Sequence, residues 1–216
     1  MKILLIGGNG RMGKQMQSYM NQKGIEYLAV DKSNFNCAFD FDFDIAVDFS
    51  TAQALKQNLD IALKKHKPIL IATTNHDSKN EHMLNCASKN IAIAVCPNLS
   101  VGIATICKMI EQLKPVANYD FIVNEIHHKN KKDSPSGTAK HLVEILQQIE
   151  IYPTVSAVRA GNIVGTHSIT AYGTNEVLEI KHTALSRDCF CDGAILVCKQ
   201  LIKKPAGIYY IKDLLW

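Results

Sequence analysis

A run of glycines directly behind the first apolar segment restricts this chain more than any other feature. Lys2 to Ile6 is short and apolar, and Gly7-Gly8-Asn9-Gly10-Arg11-Met12-Gly13 follows at once. An apolar run of that length closed by glycine reads as a buried strand. Arg11 to Gln22 then sets Met12, Met16, Tyr19 and Met20 at helical spacing, and Gly24 ends the pattern. A strand that turns straight into a helix needs residues without a Cβ, both for the tight turn and for close approach to a ligand. The helix start then offers N–H groups and the positive end of its dipole to a phosphate.

Asp31 closes the next strand-like run, Ile25 to Val30, and stands 18 residues past Gly13. An acid there accepts hydrogen bonds from an adenosine ribose. We therefore expect a dinucleotide site at Gly7, Gly8, Asn9, Gly10, Arg11, Met12, Asp31 and Lys32. The alternative is a glycine-rich turn used only for packing. Asp31 favours NADH, whereas Lys32 beside it suits the extra phosphate of NADPH, so either cofactor is expected.

The alternation continues. Ile45 to Asp48 reads as a strand, and Ser50 or Thr51 as the cap of a helix bearing Leu55, Leu59, Ala62 and Leu63. Ile69 to Ala72 and Ile91 to Val95 read as strands, with a helix between them opened by a capping box of Ser78 and Glu81. Such alternation implies a parallel sheet covered on both faces. The pattern changes after Pro97. Ser100 caps a helix reaching about Leu113, Phe121 to Ile126 is a strand, and Ser136 to Ile149 a helix. Thr154 to Arg159, Ile163 to Tyr172 and Glu176 to His182 are successive strands, which predicts an antiparallel or mixed sheet. A last helix runs from about Asp188 to Ile202, and Gly207 opens a short tail. The expected fold is α/β. A Rossmann dinucleotide-binding domain spans 1–98, completed by about 197–216, and an α+β domain spans 99–196 for substrate binding and oligomerisation.

A net charge of +4 with scattered basic residues gives no case for a nucleic-acid partner. No apolar stretch approaches the ~20 residues that span a bilayer. No signal segment opens the chain, and seven cysteines without a CxxC pair read as free thiols in a reducing, cytoplasmic compartment. The aspartates of Phe39 to Asp44 read as a solvated turn, and no metal is expected.

The segment Asn124 to Lys140, NEIHHKNKKDSPSGTAK, is the second constellation. His127 and His128 end a strand, Lys131 follows in a loop, and Ser136, Gly137 and Thr138 open a helix. Imidazole, ammonium and helix-start N–H groups together make an anion site. The bland reading is a polar loop.

These residues resemble the dihydrodipicolinate reductase (4-hydroxy-tetrahydrodipicolinate reductase) family. Its hallmark E-x-H-H-x-x-K-x-D-x-P-S-G-T-A stands complete from Glu125 to Ala139. The family's GRMG is Gly10 to Gly13, its D-F-[ST] is Asp48-Phe49-Ser50, and its R-x-G-x-I-V-G-T/E-H is Arg159 to His167. The E-x-I-x-H-x-A-x-S-R run stands at Glu179 to Arg187, offset slightly in its first acid, and the closing Gly207-Ile208-Tyr209 and Asp213-Leu214 also match. The resemblance implies reduction of a small cyclic dicarboxylate by NADH or NADPH on the path to diaminopimelate and lysine, in a homotetramer. It implies His127 as proton donor and Lys131 as the cation that stabilises developing charge or shares the proton. His128, Ser136, Gly137 and Thr138 would hold a carboxylate. The nicotinamide end would lie near Ala72, Thr73, Thr74, Cys96, Pro97, Asn98 and Leu99. Three departures bear on cofactor affinity and preference: Ala72 and Asn75 replace glycines of a G-T-T-G loop, and Leu99 replaces an aromatic. His167 and His182 fall in the second sheet and are expected to be structural more than functional. Two rivals remain. Another Rossmann dehydrogenase, for aspartate or homoserine, explains the first hundred residues but not His127 to Thr138. A cofactor sensor has no reason to keep His127, His128 and Lys131.

Overall fold

The computed structural model describes residues 1–74 and 77–216, so the departure at Asn75 lies outside the described residues. The chain forms two compact units, Met1–Leu99 with Phe190–Trp216, and Ser100–Cys189.

The first unit is built on β1 (Ile3–Ile6), β2 (Tyr27–Val30), β3 (Ile45–Asp48), β4 (Ile69–Ile71), β5 (Ala92–Val95) and β10 (Gly207–Tyr209). They stand in the order β10-β5-β4-β3-β1-β2, and every pairing is parallel. The helices are α1 (Arg11–Gln22), α2 (Leu55–Lys65), α3 (Ser78–Ala87), α6 (Asp188–Leu201) and α7 (Ile211–Leu215). The strands read as continuous apolar runs because both faces are covered. Ile3, Leu5, Ile45 and Val47 pack with Met16 and Met20 of α1 and Ala194, Val197 and Leu201 of α6. Leu4, Ile6, Ala46 and Ile69 pack on the other face with Leu55, Leu59 and Ala62 of α2. The strand order reverses between β1 and β3. In an open parallel sheet, that point, at the carboxyl ends of the strands, leaves a crevice for a ligand.

Several local expectations change. The tail after Gly207 is the sixth strand followed by α7; three residues are too few to carry a period. The return into this unit begins at Phe190, not near 197. Asp77, not Ser78, caps α3, accepting from the Asn80 N–H at 2.8 Å. Neither Ser50 nor Thr51 caps α2, which follows a 3₁₀ turn at Ala52–Ala54; the Ser50 hydroxyl instead donates to Asp48 at 2.6 Å. Phe39 to Asp44 is not simply solvated, since Phe43 is buried and Asp44 accepts from the Lys2 N–H at 2.7 Å.

The second unit carries α4 (Val101–Ile110), β6 (Asp120–His127), α5 (Gly137–Gln148), β7 (Thr154–Arg159), β8 (Gly165–Tyr172) and β9 (Val177–Ala184). Its sheet, β7-β6-β8-β9, is mixed: β7 runs parallel to β6, and the other two pairings are antiparallel. Phe121 and Val123 point to one face of β6 and pack with Leu142 and Leu146 of α5 and Ile106 and Ile110 of α4. By strand alternation Glu125 and His127 continue on that same buried face. The opposite face carries Ile122, Val158, Tyr172 and Val177.

Candidate active site

In the first unit the candidate cofactor residues sit just past the carboxyl ends of the parallel strands. Gly7 follows β1 at φ +86°, a conformation that favours glycine, and a Cβ there would stand 2.8 Å from the main chain of Phe49 and Ser50. A Cβ on Gly13 would meet the Gly7 carbonyl oxygen at 2.1 Å. The turn is therefore pressed against both the helix start and the end of β3. Gly10 is the N-cap of α1 and supplies no side-chain cap, which suits an anion at that end. Asp31 follows β2. Its carboxylate accepts from the Asn9 side chain and, at 2.8 Å each, from the N–H and hydroxyl of Ser33. The Ser33 bonds, with Asn9 assisting, hold it below the usual carboxylate range despite partial desolvation. Lys32 and Arg11 are exposed.

Ala72 to Thr74 and Cys96 to Leu99 lie past β4 and β5. Cys96 and Leu99 are buried in the core, so they have only main chain to offer a ligand. Burial first, with Asp213 adding to it, pushes the Cys96 thiol up to about 12, which keeps it protonated and unreactive. These residues fit a dinucleotide: the glycine turn leaves room that any Cβ would fill, and an acid stands at the next strand end.

In the second unit the buried face of the sheet turns from apolar to polar along β6. Glu125 is fully buried and both its oxygens are taken. One accepts from Arg159 Nη2 at 2.7 Å and the Ser136 N–H at 3.1 Å, and the other contacts His127 Nδ1. Pair register explains the meeting, since Arg159 of β7 lies opposite His127 and His167 of β8 lies opposite Glu125. The rings of His127 and His167 meet edge to face with centroids 5.0 Å apart. His167 Nε2 lies 3.2 Å from the Ser136 hydroxyl, which also caps α5 through the Ala139 N–H.

Burial works to raise the Glu125 carboxyl, but hydrogen bonds from Arg159, His127 and Ser136 outweigh it and leave it low and ionised. Burial pushes His127 down; Glu125 opposes that, while Lys131 and Arg159 add to it. Burial, with His127 adding to it, takes His167 down to about 4, so it is neutral. Glu125, His127 and His167 are close enough to suggest a metal set. Both Glu125 oxygens are already occupied, one by a guanidinium, so an ion would have to displace a cation to enter.

The loop from His127 to Ser136 brings the other expected residues together in a different pairing. Lys131 Nζ contacts Asp133 at 2.9 Å. Arg159 also donates to the Asp133 carbonyl at 2.6 Å. Burial works to raise the Asp133 carboxyl, and Lys131 first among its partners holds it low. An internal carboxylate thus stands beside Lys131, where the sequence reading expected a ligand's carboxylate. The N–H and hydroxyl of Ser136 are likewise committed within the unit. His128 is half-buried one residue past β6, and its carbonyl accepts from the Lys131 N–H at 3.1 Å.

The sequence pattern gave Glu125 and Arg159 no role in the site and placed His167 as structural more than functional. Glu125 was within reach of it: two residues before His127 on a strand means the same face. Arg159 and His167 come from distant segments, and only register brings them in.

The family profile described as "Dihydrodipicolinate reductase, N-terminus" matches residues 1–99, and that described as "Dihydrodipicolinate reductase, C-terminus" matches 102–215. The chain belongs to the dihydrodipicolinate reductase family. Curated family relatives named 4-hydroxy-tetrahydrodipicolinate reductase agree along the full length. One from Bdellovibrio bacteriovorus is 32% identical, covering 100% of this chain and 96% of that protein. Another from Thermosipho africanus is 33% identical, covering 100% and 98%. A solved dihydrodipicolinate reductase from Paenisporosarcina sp. TG-14, with dipicolinate bound, shares the fold at a TM-score of 0.84 and 17% identity, covering 99% of each chain.

Proposed function

We propose that this chain reduces 4-hydroxy-tetrahydrodipicolinate to tetrahydrodipicolinate with loss of water, using NADH or NADPH, in diaminopimelate and lysine synthesis. The observation that carries the reading is the intact network around Glu125, His127 and Lys131 at the polar end of β6. A protein that only sensed its cofactor would have no use for it.

The main chain of Gly7 to Met12 would hold the pyrophosphate, and Asp31 the adenosine ribose. Ala72 to Thr74 and the main chain of Cys96 to Leu99 would border the nicotinamide, which when bound supplies a hydride. Charge building on the conjugated ring needs a cation and a proton. His127 gives the proton, and Lys131 supplies the charge. A substrate carboxylate competes with Asp133 for Lys131, with His128, Gly137 and Thr138 beside it. Ser136 serves indirectly, by fixing Glu125, His167 and the start of α5. Asp31 and Lys32 side by side support use of either cofactor, and comparable Michaelis constants for NADH and NADPH would bear that out.

The outward face of the second sheet supports a homotetramer, since Val158, Tyr172 and Val177 are 41%, 45% and 59% exposed in one chain. The seven free thiols support a cytoplasmic setting. Among the described residues no helix is long and apolar enough to cross a membrane.

Absorbance of the reduced cofactor, followed with and without the cyclic substrate, tests the reading. Consumption only with substrate is expected. Binding of either cofactor without consumption would favour the sensor instead.

A further inference from the structure

We propose that Glu125 is a positioning residue: clamped by Arg159 and the Ser136 N–H, it fixes the ring of His127 so that Nε2 is the atom that meets the substrate. The inference rests on the reading of His127 as proton donor.

An ionised carboxylate can only accept, so the His127 atom facing Glu125, Nδ1, must carry its proton in both charge states of the ring. That leaves Nε2 as the titrating atom. The surroundings agree. Gly165 stands against this nitrogen, and a Cβ there would be 2.9 Å from it, so the absence of a side chain at 165 keeps Nε2 uncovered. Glu125 itself is held from two sides that do not involve His127, by Arg159 Nη2 at 2.7 Å and the Ser136 N–H at 3.1 Å. The Ser136 bond ties the ring's orientation to the start of α5.

The charged and titratable groups around His127 are Glu125 on its own strand, Arg159 on β7, His167 on β8 and Lys131 in the loop, with His182 on β9 opposite His167. Glu125 alone among them is negative, so it stabilises the imidazolium form against burial, Lys131 and Arg159. In the step itself the imidazolium Nε2–H bond breaks and its proton passes to the substrate as hydride arrives from the reduced cofactor. His127 returns to the neutral ring protonated at Nδ1. Glu125 stays ionised throughout and takes no proton.

The test is a double-mutant cycle in turnover, with Glu125→Gln made in the wild type and in His127→Gln. Where a carboxylate orients a metal-bound histidine its removal typically costs roughly 10- to 100-fold, and we carry that order over to this pair. We expect that loss in kcat in the wild-type background, with cofactor affinity unchanged and the alkaline fall of activity moved to lower pH. In the His127→Gln background the further loss should be under about twofold, because the ring that Glu125 orients is gone. Equal losses in both backgrounds would make Glu125 merely structural and overturn the proposal. If His127→Gln itself turns over like the wild type, the proton-donor reading fails instead, and the two failures are distinct. A measurement on the unmodified protein guards against a variant that folds badly. In ¹⁵N-histidine spectra, with His127 assigned by its loss in His127→Gln, the neutral ring should carry its proton on Nδ1. A neutral ring protonated on Nε2 would refute the proposal.

Discussion

The candidate sites of the two units are built by opposite means. In the first, the candidate cofactor residues contribute main chain: a glycine turn too tight for a Cβ, an uncapped helix start and strand ends in one parallel sheet. In the second, the candidate residues are side chains drawn from β6, β7, β8 and a loop, bonded to one another. A main-chain site tolerates changes of side chain but not of backbone room. A side-chain network tolerates neither loss of charge nor loss of a partner, because the buried Glu125 at its centre depends on Arg159, Ser136 and His127 together.

That contrast predicts where damage lands. The largest effect should come from His127→Gln, which removes the proposed proton donor and should lower kcat by roughly 10²- to 10⁴-fold. Cofactor affinity, measured by fluorescence or calorimetry, should not change. Parallel loss of both would erase the division between the units. Gly13→Ala is the converse. Its Cβ would meet the Gly7 carbonyl, and overpacking of about 1–3 kcal/mol corresponds to roughly 5- to 150-fold weaker cofactor binding. Turnover at saturating cofactor should survive.

The same contrast explains what the sequence could show. Glycine spacing is written in consecutive residues, so the turn, α1 and Asp31 were legible. So was the hallmark from Glu125 to Ala139, being continuous. The partners of that hallmark were not. Arg159 and His167 become neighbours of Glu125 only through the β6–β7 and β6–β8 registers, and nothing local in their segments announces it. Ser136 was read as a ligand contact from its place at a helix start, but its N–H donates to Glu125, and its hydroxyl accepts from the Ala139 N–H and contacts His167 Nε2. The tail strand β10 was missed for a simpler reason, since three half-buried residues carry no pattern.

A smaller effect is expected at Lys131. Lys131→Ala removes a charged hydrogen bond worth about 1.5–3 kcal/mol. It should raise the substrate Michaelis constant roughly tenfold or more and lower turnover, with the cofactor constant unmoved. Unaltered kinetics would mean that the Asp133 pairing is a surface ion pair only.

The subtlest test is acid stability. His167 is held neutral in the folded chain down to about pH 4, against an ordinary value of 6.5. The unfolded chain therefore takes up a proton that the folded chain refuses. Stability from this group is complete above about pH 6.5 and is lost as pH falls toward 4, by about 3 kcal/mol in all. Burial holds His127 and His182 low as well, which acts in the same direction. Urea unfolding across that range should show the decline, and His167→Gln should flatten it. An identical slope in the variant would remove His167 as its source.

The measurement that reaches the central claim most directly is isotope transfer. Substrate is generated in place from pyruvate and aspartate semialdehyde by a dihydrodipicolinate synthase, and the reduced cofactor is deuterated at both C4 positions of its nicotinamide. Mass spectrometry then weighs the tetrahydrodipicolinate formed. A product heavier by one deuterium, formed only when the synthase is present, is the predicted result. Unlabelled product, or no product while the cofactor remains bound and unoxidised, would contradict it.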